Sequence, residues 1–264
     1  MGWGKSLARS HLALPSDQPL TPRLSGAGSL RRELEEVLQA ATPDTTHHEY
    51  RRLILEENAA HKGSASMRTW VWKRLKLRYV LDPQVEEFRT FFLSMRSALD
   101  PADRGLIAML MMARTDRLFR EVTREVLAPL FSEPGQLIDK PGLRDEVASR
   151  AASAGLEWSD SSINGVTSHI LSSLKDFGVL AGSTTKRTLH LRPGSQVAVF
   201  AARLGRLEGL SDRKVLESQW FQLLGLSLPA VVDLMYMATQ EGGLQFRFQA
   251  DVAEIQLPPV EAAS

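Results

Sequence analysis

Apolar residues recur along this chain at helical spacing more often than in strict alternation. The clearest run is Ile163, Val166, Ile170, Leu174 and Phe177, one buried helix face with Ser159 or Asp160 placed to cap its start. The other face carries Ser161, Asn164, Ser168, Ser172 and Lys175. Short polar side chains let a helix lie close to a surface, as a recognition helix does in the major groove. Phe177-Gly178 stops the helix, Val179-Leu180 begins a strand, Gly182-Ser183-Thr184 turns, and Lys186 to Leu191 returns before Arg192-Pro193-Gly194. Leu143 to Ala154 is a further helix ending at Gly155, so residues 143–194 follow the order of a winged helix-turn-helix unit.

The rest of the chain reads as helices with one more hairpin. Leu30 to Ala40 presents Leu34, Val37 and Leu38 inward, and Thr45 or Thr46 caps a second helix through Tyr50 and Ile54. Ser64 or Ser66 caps a third, Met67 to Val80. Gln84 to Ser97 and the strongly apolar stretch from Pro101 to Ala113 follow, then Arg114 to Phe131. Gly135 to Gly142 reads as a linker. Beyond Gly194, Val197 to Leu207, a helix through Val215 and Leu216, and one capped by Ser227 precede strands at Leu244–Phe248 and Val252–Leu257. That repeats the element order of Trp158–Leu191 and suggests an internal duplication. The expected fold class is mainly α, with winged helix-turn-helix-like units and short β-hairpin wings. Its expected organisation is a flexible arm at 1–27, a helical domain at 28–134 with a basic helix-turn-helix-like helix, the winged-helix unit at 143–194, and a second helix-plus-hairpin module at 195–259.

Charge sharpens this picture. The net charge of +1 hides an asymmetry: residues 208–264 sum to −5 and the remainder to +6, so a polyanion should meet the first two-thirds. Between Ala59 and Leu81 there is no acid, while Lys62, Arg68, Lys73, Arg74, Lys76 and Arg78 alternate with Trp70, Trp72 and Tyr79. Lys73 and Lys76 fall away from the Met67, Val71, Leu75 stripe; Arg74 and Arg78 project near it and could instead pair internally. From Phe177 to Leu207 there is again no acid, and Lys186 and Arg187 stand at the ribbon's turn with Arg192 beyond. The candidate DNA contacts are therefore these six cations of 59–81, together with Ser161, Asn164, Ser168, Lys175, Lys186, Arg187 and Arg192.

Several chemistries find no support. The chain has no cysteine, hence no disulfide or thiolate site. Adjacent His47 and His48 diverge by about 100° on a helix and cannot share a metal as an i, i+4 pair would. No GxSxG, phosphate loop or HExxH motif is present, so no enzyme, cofactor or metal is expected. The longest apolar run, near Leu106–Met112, falls far short of the roughly 18 residues of a membrane span, which points to a cytoplasmic protein.

Gly28-Ser29-Leu30 with Glu33, Glu57-Asn58 leading through Lys62 and Ser64 to Arg74 and Arg78-Tyr79, and the tail Trp220-Phe221, Gly225-Leu226-Ser227, Leu234-Met235-Tyr236 resemble the BrxA proteins of bacterial BREX (bacteriophage exclusion) systems. The resemblance covers about residues 24–258. It implies a small, mostly helical DNA-binding protein acting with a methyltransferase and other BREX components against phage. Arm 1–27 is longer than that family's compact start. Residues and resemblance together favour a non-enzymatic, phosphate-directed binder of double-stranded DNA. The exposed Ser161, Asn164 and Ser168 face lacks the Arg or Gln of strong base reading, so sequence preference should be weak. A protein-interaction adaptor is the second expectation, suited to the acidic C-terminal third. A winged-helix transcriptional regulator is the third, and no long heptad repeat supports the dimer it would need.

Overall fold

Residues 19–259 are described by a computed structural model. At their centre is α5 (Pro101–Thr115), started by Asp100, whose carboxylate accepts from the Ala102 N–H at 2.8 Å. Every residue from Leu106 to Thr115 is buried, because this helix is apolar on all sides and is covered on all sides. Around it pack α3 (Ala65–Tyr79), α4 (Glu86–Ser97), α8 (Asp160–Asp176) and α9 (Ser195–Leu207). Arg114, at the end of the central helix, donates to buried Glu87 at 2.9 Å, so the cation inside the core has its counter-ion. One contiguous hydrophobic cluster runs from Leu24 to Ile255.

Upstream, α1 (Arg31–Gln39) and α2 (His47–Leu55) pack beside α3. A reciprocal cap holds α2: Thr46 accepts from the Glu49 N–H and the Glu49 carboxylate accepts from the Thr46 N–H. The helix expected over Arg114–Phe131 is divided. Asp116 is extended (φ −127°, ψ 105°) and its carboxylate accepts from the Phe119 N–H at 2.9 Å, which ends α5 and starts α6 (Arg117–Val122). A π turn (Thr123–Leu127) and a 3-10 turn (Ala128–Ser132) continue it.

The winged unit follows with α7 (Lys140–Ser153), α8, β1 (Leu180–Ala181) and β2 (Arg187–Thr188). The stretch read as a linker is part of its ribbon. Gly135 and Ile138 donate their N–H groups to the Thr188 and Lys186 carbonyls at 2.9 and 3.0 Å, and Gln136 accepts from the Thr188 N–H at 3.0 Å. Residues 135–138 thus form a third antiparallel run against β2, completing the order helix, strand, helix, helix, strand, wing, strand. The second module comprises α9, α10 (Asp212–Leu216), α11 (Gln219–Gln222), α12 (Leu228–Gln240) and the antiparallel pair β3 (Gln245–Gln249) and β4 (Val252–Gln256), in register Phe246 with Ile255. It lacks the early third strand among the described residues.

The expectation of an unstructured arm also needs correction for its described part. Residues 23–26 make a 3-10 turn, Leu24 and Ala27 are buried, and the segment packs against α8. Residues 1–18 of the expected arm lie outside the described residues. Among the described residues no helix is long and apolar enough to cross a membrane.

Candidate nucleic-acid interface

The wing exposes Arg187 and ties Lys186 back to its own turn. Gly182 at its tip has φ +99°, and a Cβ there would stand 2.0 Å from the Thr185 carbonyl oxygen, so the turn admits only glycine. Lys186 closes the turn by donating from Nζ to the Gly182 and Ser183 carbonyls at 2.8 and 2.7 Å. Its ammonium is pushed below the ordinary lysine range by partial burial and then by the like charges of Lys175 and Lys140, with Asp176 acting the other way. These three lysines come from the start of α7, the end of α8 and the wing. A groove of about 190 Å³ between wing tip and α7 is lined by Lys140 and Lys186 with Asp139 among them, and by Leu171, Thr184 and Thr185. Arg187, on the return strand, is exposed, with Nη1 3.5 Å from the Gly135 carbonyl, and Arg192 is exposed on the segment leaving the ribbon.

The helix before the wing is less free than its sequence suggests. Ser161 and Asn164 are exposed, but Arg144 of α7 donates from Nε to Asn164 Oδ1 at 3.1 Å and pairs through Nη2 with Asp160 at 2.5 Å. Ser168 is half-buried and Lys175 exposed. The adjacent stripe of Gly165, His169, Ser172 and Ser173 lies under the chain's own residues 25–28. A Cβ on Gly165 would stand 2.9 Å from the Ser25 carbonyl oxygen, and one on Gly28 would stand 3.0 Å from Ser172 Oγ. Small residues on α8 do permit close approach. What approaches that edge is the protein itself.

The basic helix α3 divides in the same way. Lys73 is exposed, and Lys76 sits 5.5 Å from the Trp72 ring centre in a cation–π contact, with the His47 ring 5.0 Å from the same Trp72 ring. Arg68 is half-buried. Arg74 reaches the Arg23 carbonyl at 3.5 Å, and Arg78, 5% exposed, donates to the Ala27 carbonyl at 2.5 Å. Burial holds the Arg78 guanidinium below the usual arginine range. Next to it the Tyr79 hydroxyl donates to the Ser29 carbonyl at 2.8 Å, and Ser29 Oγ donates to Asp176 at 2.7 Å. Residues 23–29 are thus fastened to α3 on one side and α8 on the other. Lys62 pairs with Glu33 at 2.7 Å and belongs to the α1 contact.

Of the sequence-predicted residues, the structure gathers Lys175, Lys186 and Arg187 at the wing, keeps Lys73 and Lys76 on an outward face of α3, and turns Arg78 and Lys62 to internal bonds. Sequence reading missed Lys140, whose nearness to Lys175 and Lys186 depends on contacts between residues more than thirty positions apart. It missed Arg144 as well, the side chain that orients Asn164.

A mainly helical chain with wing-like hairpins and an outward cationic edge is the class this architecture defines. A family model described as BrxA matches residues 21–200, and the chain belongs to the BrxA family. Membership points to a role in BREX phage defence. Among solved structures, an uncharacterized protein from Magnetospirillum magneticum aligns with a TM-score of 0.54 at 14% identity, covering 78% of this chain and 98% of that one, a likeness of fold. No curated protein matches the chain.

Proposed function

We propose that this chain is a non-enzymatic binder of double-stranded DNA serving BREX defence, held mainly by phosphates. The observation that carries the reading is the convergence of Lys140, Lys175 and Lys186 beside Arg187 on the wing edge of a winged-helix unit. The wing itself carries no carboxylate from Phe177 to Leu207, and Asp139 and Asp176 flank the lysines at its base. Lys73 and Lys76 on α3 form a second cationic surface. Base reading through α8 is restricted, since Asn164 is engaged by Arg144 and one edge of the helix is covered. The expected preference is for duplex shape and charge rather than sequence.

The test is a duplex titration across a salt series. Binding at low salt with a log–log slope of about −0.9 per neutralised phosphate supports the reading. Absence of binding at low salt sinks it. A second reading, a protein-interaction adaptor within the defence machinery, rests on α12. That helix contains no Lys or Arg, and around it Tyr236 is 39% and Val252 65% exposed. Its test is co-purification of another BREX component, lost on Tyr236→Asp/Val252→Asp.

A further inference from the structure

Away from the cationic surfaces, a cleft of about 250 Å³ lies between α4 and α9, with Gly242-Gly243 and Pro258-Pro259 at its rim. One wall is a stripe of hydroxyls, Thr90, Ser94 and Ser97, at i, i+4 and i+7 of α4. The facing wall carries Gln196, Val199 and Arg203 of α9. Thr90 is 2% and Ser94 7% exposed as residues, but their hydroxyl oxygens open onto the cleft, and no hydrogen bond joins either one to another described residue. Arg203 donates to the Pro258 carbonyl and, among the described residues, forms no salt bridge. Burial depresses its guanidinium, and Glu86 attracts it without reaching ion-pair distance.

A half-buried cation lacking a contacting anion, on the same cleft as two hydroxyls that no protein group engages, is complementary to a group that brings negative oxygens. We propose that this cleft binds a small free oxyanion, a phosphate or carboxylate compound, through Arg203 and the Thr90 and Ser94 hydroxyls. The cleft has the volume of about eight waters at roughly 30 Å³ each, so the ligand is small. Thr90 and Ser94 lie too deep for the backbone of a duplex to reach them, which separates this site from the DNA surfaces.

The experiment is thermal unfolding of the full chain titrated with inorganic phosphate, and separately with succinate, at ionic strength fixed by chloride. A saturable rise in Tm with either anion, half-complete below about 1 mM, is expected; which anion acts distinguishes a phosphoryl from a carboxylate ligand. In Thr90→Val/Ser94→Ala the Tm without anion should be about unchanged, because neither hydroxyl bonds to the protein, while the half-saturating concentration rises at least about tenfold. Arg203→Met should abolish the rise. No saturable shift with either anion overturns the proposal, as does a shift that persists in the double variant. A double variant that fails to fold shows that the hydroxyls are structural, and also overturns it. DNA affinity in the salt series is unchanged by all these variants, so the two readings fail independently.

Discussion

Both modules end in a helix followed by an antiparallel hairpin, and they differ in almost everything their surfaces offer. In the first, the wing turns on Gly182, and Lys186, Arg187 and Lys175 stand at its edge. In the second, the turn is made by Ala250 and Asp251, both at positive φ (47° and 67°), and Asp251 pairs with Arg213 at 2.9 Å. Its strand edges are already occupied: the Tyr236 hydroxyl donates to the Phe248 carbonyl and accepts from its N–H, while Asp212 accepts from the Ile255 N–H and Arg206 donates to the Ile255 carbonyl. The first hairpin exposes Arg187 and bonds Lys186 to its own turn, with no acid on either strand. The other spends its polar groups on itself, which guards exposed strands against pairing with other chains. Shared architecture therefore says little about shared chemistry, and side-chain placement decides what each module can touch.

The comparison can be broken or sharpened, most strongly at the charged wing. Lys186→Glu/Arg187→Glu should weaken duplex binding about a hundredfold near 100 mM salt, roughly 2.7 kcal/mol, with a shallower salt slope; Arg247→Glu on the second hairpin should change it less than about twofold. Equal losses from the two hairpins in fluorescence anisotropy would erase the contrast. Next comes Arg78→Met, which strands the buried Ala27 carbonyl and should cost about 2 kcal/mol in denaturant unfolding while leaving affinity per folded molecule unchanged. A stable variant with poor DNA binding would return Arg78 to the interface. Gly182→Ala forces a Cβ into the Thr185 carbonyl and should cost about 1–2 kcal/mol, with affinity falling because the wing moves. Smallest is Tyr236→Phe, which removes two bonds at an exposed edge. It should lower stability by about 1 kcal/mol without touching DNA affinity, and a shift toward higher oligomers by light scattering would show what the phenol holds off.

What was legible in the sequence was local. Caps at Ser64, Asp100 and Ser159, and apolar stripes such as Ile163 to Leu174, are properties of a few consecutive turns, and the helices formed where they pointed. The proximity of Arg74 and Arg78 to the apolar stripe of α3 also hinted at their inward role. Long-range pairings were not legible. Residues 135–138 become strand-like only because β2 lies beside them fifty positions later, and a short run flanked by Pro134 and Gly142 carries no alternation of its own. Residues 23–27 look like the end of an arm, and 28–29 like a loop, because Pro22, Gly26 and Gly28 interrupt periodicity. They are ordered by partners on two distant helices, Arg78 and Tyr79 on one and Gly165 and Asp176 on the other. The cationic surface combined both kinds of information: its residue types could be read, its assembly from three elements could not.

That fastening has a mechanical consequence. Because residues 23–29 are bolted to α3 and α8 through buried bonds, the outward lysines of α3 and those of the wing belong to one rigid body. Their separation is a fixed gauge, like the jaws of a caliper locked at one setting. If the proposed duplex binding uses both surfaces, the duplex must supply the adjustment itself by bending or shifting its groove, and stiff and pliable sequences should then differ in affinity even where no base is read.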